Sequence, residues 1–285
     1  MSPRFTSDPR ISYWRKGLAS QNFGDLLSEL LFEGLSQRTR SGGARKTGKH
    51  DVVHLIGSVI SDWHIERDLE HVRAGSGRRI AFWGCGVRDG RPIHTDLLER
   101  CEIFGVRGPI SREVLGLPPD TPIGDPGLLL PLLYQPRALG KRAAETICVP
   151  HFLDPKTDDQ LLELTGVSRI VRPNVVCSRA ALTSVIDAIA NARFVLCGAL
   201  HAAIVACAYG RPFAYFDSGY VDVPLKWRDF AASIGIPCRF ATNLAEGRRI
   251  FDEQLASQIT IPPLAPLVAL CPLNPPSRFV RRLSP

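Results

Sequence analysis

Short apolar runs alternate along the chain with longer amphipathic stretches. This alternation is typical of βαβ units, in which helices pack on a parallel sheet. Residues 25–35 show it well, because five leucines recur there at helical spacing. Strands are predicted at residues 11–15, 51–60, 79–84, 102–106, 122–125, 146–150, 168–172, 194–197 and 212–216. Helices are predicted at residues 25–35, 158–164, 179–192, 200–209, 227–234 and 245–255, and one more begins at Gly108-Pro109.

The alternation is interrupted once, between residues 131 and 144. This stretch contains Pro131, Pro136, Gly140, Lys141 and Arg142, and it has the composition of an interdomain linker. The chain of 285 residues, 45% of them hydrophobic, is long enough for two α/β halves. We therefore predict an N-terminal domain over residues 1–138 and a C-terminal domain over residues 139–285. The predicted fold class is α/β, with two Rossmann-like domains facing each other across a cleft.

The formal net charge of +7 suits an anionic substrate, an anionic membrane surface or nucleic acid. Part of the excess lies in two basic runs, for which a solvated surface is favoured and contact with a lipid-bound acceptor is the alternative. The runs are Arg38, Arg40, Arg45, Lys46 and Lys49, and then Arg278, Arg281 and Arg282. No zinc-finger spacing, RRM signature or helix-turn-helix pattern occurs, so nucleic acid is not an expected partner.

The chain has eight cysteines but no C-x-x-C pair, so no metal site is expected. Most of the cysteines lie in apolar runs, which indicates buried thiols in a reducing compartment. The N-terminal residues are polar, and no apolar stretch approaches the roughly 18 residues of a membrane span. We expect a cytoplasmic protein, with peripheral association at the inner membrane left open.

Four predicted strand-to-helix turns carry polar side chains. Ligands of open α/β sheets bind beyond the carboxyl ends of the strands, where helix N-termini hold anions. In the first turn, Gly24 would let a ligand approach the backbone, and Asp25 would act as a base or bind sugar hydroxyls. The alternative for Asp25, as for Asn22 beside it, is a helix N-cap.

The other three turns contain one arginine and two histidines. Arg107 ends a strand and would hold a phosphate or carboxylate; a structural salt bridge is the alternative. His201 lies in the first turn of a helix and would donate a proton, unless it is a capping or core histidine. His151 follows another strand and would bind an anion or a sugar, although an ordinary surface histidine fits equally well.

Taken in order, a series of short motifs resembles the polysaccharide pyruvyltransferase family, most closely the ketal pyruvyltransferases of xanthan and succinoglycan biosynthesis. Each motif alone is weak, and no dinucleotide fingerprint, P-loop, G-x-S-x-G or H-E-x-x-H occurs. Their order between residues 22 and about 230 carries the resemblance. The motifs are Asn22-Phe23-Gly24-Asp25, Ile56-Gly57-Ser58, Trp83-Gly84-Cys85-Gly86, Val106-Arg107-Gly108-Pro109, Gly124-Asp125-Pro126-Gly127, Val149-Pro150-His151-Phe152, Pro173-Asn174-Val175, Leu200-His201 and Ala208-Tyr209-Gly210-Arg211-Pro212.

The resemblance implies a glycosyltransferase-B-like pair of domains that needs neither a metal nor a cofactor. It implies phosphoenolpyruvate as the donor and a lipid-linked oligosaccharide or polysaccharide as the acceptor. By resemblance, His201 is the acid, Arg107 binds the donor and Asp25 is the base. The implied donor site, on the C-terminal side, comprises Arg107, Ser111, Arg112, Leu200, His201, Gly57 and Ser58. The implied acceptor site, on the N-terminal side, comprises Asn22, Gly24, Asp25, His151 and Lys226, the last in an acceptor-side loop.

One departure from the family pattern precedes His201. Many relatives carry Ser-Ser or an arginine before Leu-His, whereas this chain has Gly198 and Ala199. Backbone N–H groups or Arg112 would then replace the missing side-chain donor. Two other functions stay open. One is a nucleotide-sugar glycosyltransferase of the same architecture, although the chain has no D-x-D motif. The other is an inactive relative that binds glycan.

Overall fold

The computed structural model describes residues 10–14, 19–36, 50–72, 79–140 and 145–283. Two parallel sheets and their helices account for most of these residues. The elements before residue 140 are β1 (Gln21–Asn22), α1 (Phe23–Leu35), β2 (His50–His54), β3 (Ser58–Ile60), α2 (Asp62–Leu69), β4 (Arg79–Val87), α3 (Thr95–Leu98), β5 (Cys101–Val106), α4 (Pro109–Val114), a 3₁₀ turn (Pro126–Leu129) and α5 (Leu130–Leu133).

The elements after residue 145 alternate between strands and helices more regularly. They are β6 (Thr146–Val149), α6 (Asp158–Thr165), β7 (Arg169–Ile170), β8 (Asn174–Val175), α7 (Arg179–Asn191), β9 (Phe194–Cys197), α8 (Leu200–Ala208), β10 (Phe213–Phe216), α9 (Pro224–Ser233), β11 (Phe240–Ala241), α10 (Leu244–Ile250), a π-helical turn (Phe251–Leu255), α11 (Ala265–Ala269) and α12 (Ser277–Arg281).

The first sheet is built around β4. β2 and β3 pair with successive halves of one edge of β4, and β5 pairs with the other edge, all in parallel. The prediction of one strand over residues 51–60 was wrong. Gly57 adopts a φ of 110°, in the region that favours glycine, and the chain turns there into two short strands.

Two predicted edge strands of the first sheet are reduced to single bridges. Ile123 bridges Val106 and Ile11 bridges Val53, both in parallel. The strand predicted at residues 122–125 is therefore wrong, because the chain turns at once into the 3₁₀ turn, where Asp125 accepts a hydrogen bond from Gly127 N at 2.8 Å. In the strand predicted at residues 11–15, Arg15 lies outside the described residues.

The second sheet has the strand order β11-β10-β9-β6-β7 and is entirely parallel. The predicted alternation in this half is confirmed, and β9 occupies the predicted residues. Three short strands, β1, β8 and β11, were not predicted, because two-residue strands leave no periodic pattern.

Helix α1 follows the first strand in sequence but packs against elements from the second half of the chain. β1 pairs antiparallel with β8, and Phe23 N donates to Pro173 O at 2.8 Å. At the other end of α1, Glu33 forms an ion pair with Arg179 of α7. The leucines of α1 and the strands of the second sheet belong to the same hydrophobic core. This contact brings the Asn22 motif next to the carboxyl ends of the second sheet.

The segment that was predicted as a linker crosses from the first sheet to the second. Its described part is held on α7, where Asp187 accepts hydrogen bonds from Tyr134 Oη at 2.8 Å and Arg137 N at 2.9 Å. Lys141 and Arg142 lie outside the described residues. The α/β class with parallel sheets is confirmed. The glycosyltransferase-B-like arrangement and the boundary at residue 138 stay predictions.

Six of the eight cysteines are buried, and all eight are free thiols. The basic residues Arg38, Arg40, Arg45, Lys46 and Lys49 lie outside the described residues, as does the side chain of Arg278. Arg281 and Arg282, at the end of α12, are exposed. Within the described ranges, no helix is long and apolar enough to cross a membrane.

Candidate functional site

A cavity of about 250 Å³ lies where the carboxyl ends of strands from both sheets meet. It is lined by residues that follow β2, β4, β5, β6, β9 and β10, as expected for an open α/β sheet. The predicted site residues in its wall are Asn22, Asp25, Gly57, Ser58, Arg107, His151, Leu200, His201 and Lys226. The wall also contains Trp14, Val59, His64, Arg88, Phe152, Leu153, Ala199, Asp222 and Val223.

The Asn22 motif shapes one side of this cavity. Asn22 is the N-cap of α1, and its Oδ1 accepts a hydrogen bond from Gly24 N at 3.4 Å. Its Nδ2 donates to Asp25 Oδ2 at 2.8 Å. The capping role is thus taken by Asn22, and Asp25 lines the cavity from the first turn of the helix.

Gly24 brings the first turn of α1 against His201. A Cβ atom at this position would overlap the His201 ring at Nδ1, so only glycine allows the close approach. The Nε2 atom of His201 is buried and has no hydrogen-bond partner among the described residues. Burial, followed by the nearby charges of Arg107 and Lys226, lowers the pKa of His201 to about 3. The imidazole is therefore neutral near pH 7.

Asp25 is shifted in the opposite direction. Burial raises the pKa of Asp25 to about 6, although the hydrogen bond from Asn22 and the charge of Lys226 oppose the change. A carboxyl group with this pKa retains its proton on about one molecule in ten at pH 7, roughly a hundredfold more than an ordinary aspartate. An imidazole ordinarily has a higher pKa than a carboxyl group. In this cavity the order is reversed, because the pKa of Asp25 is higher than that of His201.

Arg107 reaches the cavity from the end of β5 and is almost fully buried, with 1% of its surface exposed. Its Nη1 donates to Ser58 Oγ at 2.9 Å, and its Nε lies 3.4 Å from Asp229 Oδ2 on α9. The guanidinium passes over Gly86, where a Cβ atom would overlap Nη2. Arg107 therefore forms the structural ion pair that was the alternative, and it also lines the cavity. The binding of an anion by Arg107 stays a prediction.

Three residues of the predicted site lie outside the cavity wall. Gly24 lies behind His201, as described above. Ser111 is fully buried; its hydroxyl donates to Asp229 Oδ2 at 2.6 Å and accepts from Val87 N at 3.1 Å. Arg112 turns away, and its Nη1 donates to Pro119 O at 2.6 Å. Ser111 and Arg112 are thus engaged in contacts within the fold.

Lys226 was placed in a loop on the acceptor side, and this placement was wrong. It lies in the first turn of α9, whose Pro224 occupies an N-terminal position that proline favours. Its Nζ donates to Asp222 Oδ2 at 2.8 Å. Burial lowers the pKa of Lys226, and the carboxylate of Asp222 opposes the change.

His151 completes this side of the cavity. Its Nδ1 accepts a hydrogen bond from Leu153 N at 3.2 Å, so the neutral ring carries its hydrogen on Nε2. Nε2 lies 3.6 Å from Asp222 Oδ2, and the contact holds the pKa of Asp222 well below its usual range. His151 is only 4% exposed, which excludes the interpretation as an ordinary surface histidine.

Close backbone packing explains why a glycine stands at position 198, and the sequence did not reveal this packing. A Cβ atom there would lie 3.0 Å from Pro150 Cα and 3.1 Å from His151 N. Gly198 N and Ala199 N both donate to Val149 O, at 2.8 and 3.1 Å. The small residues therefore bring the start of α8 close to the loop that carries His151. A larger side chain at position 198 would separate them.

The cavity wall contains more cations than the sequence indicated, because Arg88 joins Arg107 and Lys226 there. Burial and the charges of Arg67 and Arg88 lower the pKa of His64, in the same wall, to about 4. Arg88 could have been predicted as a site residue from the sequence, because it directly follows a buried strand. In the described part of the chain, no cluster of three or more His, Cys, Asp or Glu side chains could hold a metal ion.

An open groove of about 1000 Å³ adjoins the cavity at Trp14, which lines both. Trp63 also lines the groove and exposes 60% of its surface, with the guanidinium of Arg67 over its ring at 5.2 Å from the centroid. Glu70 and His71 add polar groups to the same wall. Exposed tryptophan beside polar side chains is not explained by packing within the fold.

The comparisons with known proteins agree with these features. The chain is 25% identical over 228 residues to the succinoglycan biosynthesis protein ExoV of Rhizobium meliloti (strain 1021). The matched region covers 80% of this chain and 65% of that relative, so the chain spans less than two thirds of its length. No solved structure gives a significant match. The sequence profile described as "Polysaccharide pyruvyl transferase" matches residues 1–220, which contain every predicted site residue except Lys226. The chain belongs to the polysaccharide pyruvyl transferase family.

Proposed function

We propose that the chain transfers pyruvate from phosphoenolpyruvate to two hydroxyl groups of a sugar in an exopolysaccharide repeat unit, forming a ketal and releasing phosphate. One observation carries the proposal beyond family membership. The cavity combines buried cations with Asp25 and His201, whose pKa values are shifted in opposite directions. Such pairs are common where proton transfer is divided between two groups.

The donor carries a phosphate and a carboxylate, which both need positive partners. Arg107 and Lys226 supply them in the cavity wall, and the N-terminus of α8 presents backbone N–H groups at Leu200 and His201. Ser58 orients the Arg107 guanidinium through its hydroxyl. Ser111 and Arg112 are not part of this proposal, because their polar atoms are used elsewhere in the fold.

The directions of the pKa shifts favour Asp25 as the acid and His201 as the base, the reverse of the roles implied by the resemblance. Asp25 donates its proton to the donor methylene, which becomes a methyl group and leaves a cationic centre at C2. A sugar hydroxyl attacks C2 and its proton passes to His201. The C2–O bond to phosphate then breaks, and the second hydroxyl attacks C2 to close the ketal. Its proton leaves with the phosphate.

The acceptor is proposed to enter over Trp14 and extend into the adjoining groove. A polysaccharide acceptor suits this groove because Trp63 presents an open aromatic face, with carboxylate and imidazole groups nearby for hydroxyls. Asn22, Asp25 and His151, which line the cavity, are proposed as the acceptor-side groups. Lipid linkage of the acceptor and contact with the inner membrane are further parts of the proposal that rest on the family alone.

The experiment is a thermal unfolding measurement with phosphoenolpyruvate and, separately, with a panel of nucleotide sugars. A ligand at about 100 times its Kd stabilises the folded state by about 2.7 kcal/mol, which raises the Tm by roughly 5–11 °C at about 2–4 °C per kcal/mol. We expect this shift with phosphoenolpyruvate only. Arg107→Ala should abolish it.

Arg112→Ala is the matched control, because Arg112 is an arginine of the same turn that points to Pro119 O and not to the cavity. It should retain the full response. A shift with nucleotide sugars alone would favour a glycosyltransferase. No shift with either class of ligand would favour the inactive, glycan-binding relative.

A further inference from the structure

Asp229 lies on α9 and is completely buried, but it does not line the cavity. Its Oδ1 accepts a hydrogen bond from Ser111 N at 2.9 Å, at the N-terminus of α4. Its Oδ2 accepts from Ser111 Oγ at 2.6 Å and lies 3.4 Å from Arg107 Nε. One carboxylate therefore joins α9, which follows the second sheet, to the end of β5 in the first sheet.

The backbone around this contact is adapted to it. A Cβ atom at Gly108 would overlap both the carbonyl oxygen and Oδ1 of Asp229, so only glycine admits α9 at this distance. Ser111 uses its hydroxyl for Asp229 and also accepts from Val87 N. The residues on both sides of Arg107 thus hold Asp229 in one position.

Few contacts orient Arg107 itself. Its Nη1 donates to the hydroxyl of Ser58, whereas Nε and Nη2 have no hydrogen-bond partner in the described part of the structure. The contact of Nε with Asp229 at 3.4 Å is thus an ion pair without a hydrogen bond. Burial raises the pKa of Asp125, a second buried carboxyl group, to about 6, and the nearby charge of Arg107 opposes the change. Asp125 Oδ2 has no hydrogen-bond partner among the described residues. A guanidinium freed from Asp229 therefore has an alternative carboxyl group to turn toward.

We propose that Asp229 is a positioning residue for the anion site. It holds the Arg107 guanidinium toward the cavity and, through the same helix, sets the place of Lys226 one turn earlier. The inference rests on the proposed function, because the anion it serves is the phosphoenolpyruvate donor. A buried carboxylate that pairs with a buried cation typically acts on the geometry and charge of its partner more than on net stability.

The test is a double-mutant cycle on phosphoenolpyruvate binding, measured by titration calorimetry. The variants are Asp229→Asn, which keeps the size and removes the charge, Arg107→Lys, and the double variant. We expect each single change to weaken binding by about tenfold or more, as for other charge-assisted contacts. The double variant should bind phosphoenolpyruvate about as tightly as the single variant with the lower affinity. The losses of affinity should not add, because the two residues act as a unit.

Asp187→Asn is the control for a merely structural effect. Asp187 is also buried, with 5% of its surface exposed, and accepts hydrogen bonds from Tyr134 and Arg137 far from the cavity wall. It should lower the Tm but leave the Kd for phosphoenolpyruvate unchanged. Equal losses of affinity in Asp187→Asn and Asp229→Asn, or losses that multiply in the double variant, would overturn the inference.

The affinity of the wild-type chain distinguishes a failure of the proposed function from a failure of the inference about Asp229. If the wild-type chain does not bind phosphoenolpyruvate, both the donor assignment and this inference are wrong. If the wild-type chain binds it and Asp229→Asn binds it equally well, only the inference is wrong. Should Asp229→Asn not fold, Ser111→Ala removes one hydrogen bond of the carboxylate while both charges remain. We then expect a loss of about threefold in affinity, and an unchanged Kd would overturn the inference.

Discussion

At the scale of single residues, Asp25 and His201 show how one cavity changes two side chains in opposite ways. Burial disfavours the charged form of each group, so it raises the pKa of Asp25 to about 6 and lowers that of His201 to about 3. Near pH 6 the His201 imidazole is therefore neutral, whereas Asp25 holds its proton on about half of the molecules.

Asp25→Asn should make the protein more stable and less active. The folded state binds the Asp25 proton more tightly than the unfolded state, whose ordinary value is 3.8. The wild-type chain is therefore penalised as the pH rises through about 6, and the variant is not. At pH 8 the variant should be more stable by about 1–3 kcal/mol, and below pH 4 the two should converge. If Asp25 is the acid, turnover should fall by about 10²–10⁴.

Chemical unfolding at several pH values measures the first effect. Asp120→Asn, a change at an exposed carboxylate, is the control and should leave the pH dependence as in the wild type. An Asp25→Asn chain that is no more stable than the wild type at pH 8 would show that Asp25 is charged without penalty. The proposed role as an acid would then lose its physical basis.

At the scale of elements, strand β4 determines whether Arg107 can reach the cavity. The strand continues through Gly84-Cys85-Gly86 to Val87, which is three residues beyond its predicted end. Gly86 offers no side chain where the guanidinium of Arg107 crosses the strand. The family motif at this position is thus explained by space for an arginine, and not by a ligand bound to the glycine itself.

Gly86→Ala should therefore displace Arg107. The overlapping atoms belong to the far end of a flexible side chain, so the fold should survive with a modest loss of stability. The Tm response to phosphoenolpyruvate should fall to that of Arg107→Ala. Gly90→Ala serves as the control, because a Cβ atom there would lie 3.7 Å from its nearest neighbour, Leu225 Cδ1. A full response in Gly86→Ala would mean that Arg107 does not act through its present position.

At the scale of the whole molecule, the two sheets are connected by more than the segment between them. Helix α1 joins the core of the second sheet, while α11 returns to the first, where Trp83 Nε1 donates to Leu267 O at 2.7 Å. The buried contact between Asp229 and Arg107 adds a third connection. Elements from each half of the sequence thus pack against the sheet of the other half.

We expect unfolding in one cooperative transition, because α1 completes the core of the second sheet and buried contacts of α9 and α11 join the two halves. Differential scanning calorimetry should give a ratio of calorimetric to van't Hoff enthalpy of about 1. Trp83→Phe, which removes the hydrogen bond to Leu267, should lower the single Tm without splitting the transition. Two resolved transitions would show instead that the halves are independent domains.

Periodicity along the chain was sufficient for the α/β class, for most helices and for four of the five strands of the second sheet, all except β11. These elements are long or strongly apolar, so local burial decides them. It failed where a single residue changes the backbone, as at Gly57, or where pairing depends on a distant partner, as for β1 and β8. The motif order was also sufficient for the family and for placing nine of the predicted residues at one cavity.

Only the tertiary structure decided how those residues act together. Asp222, Asp229 and Arg88 lie in segments without a distinctive motif, and their roles follow from neighbours up to 122 residues away, as between Asp229 and Arg107. The sequence contains the residue types but not their burial, and burial is what separates the pKa values of Asp25 and His201. The chain therefore specified its family and its cavity through local patterns, while distances and desolvation across the two sheets determined the chemistry available there.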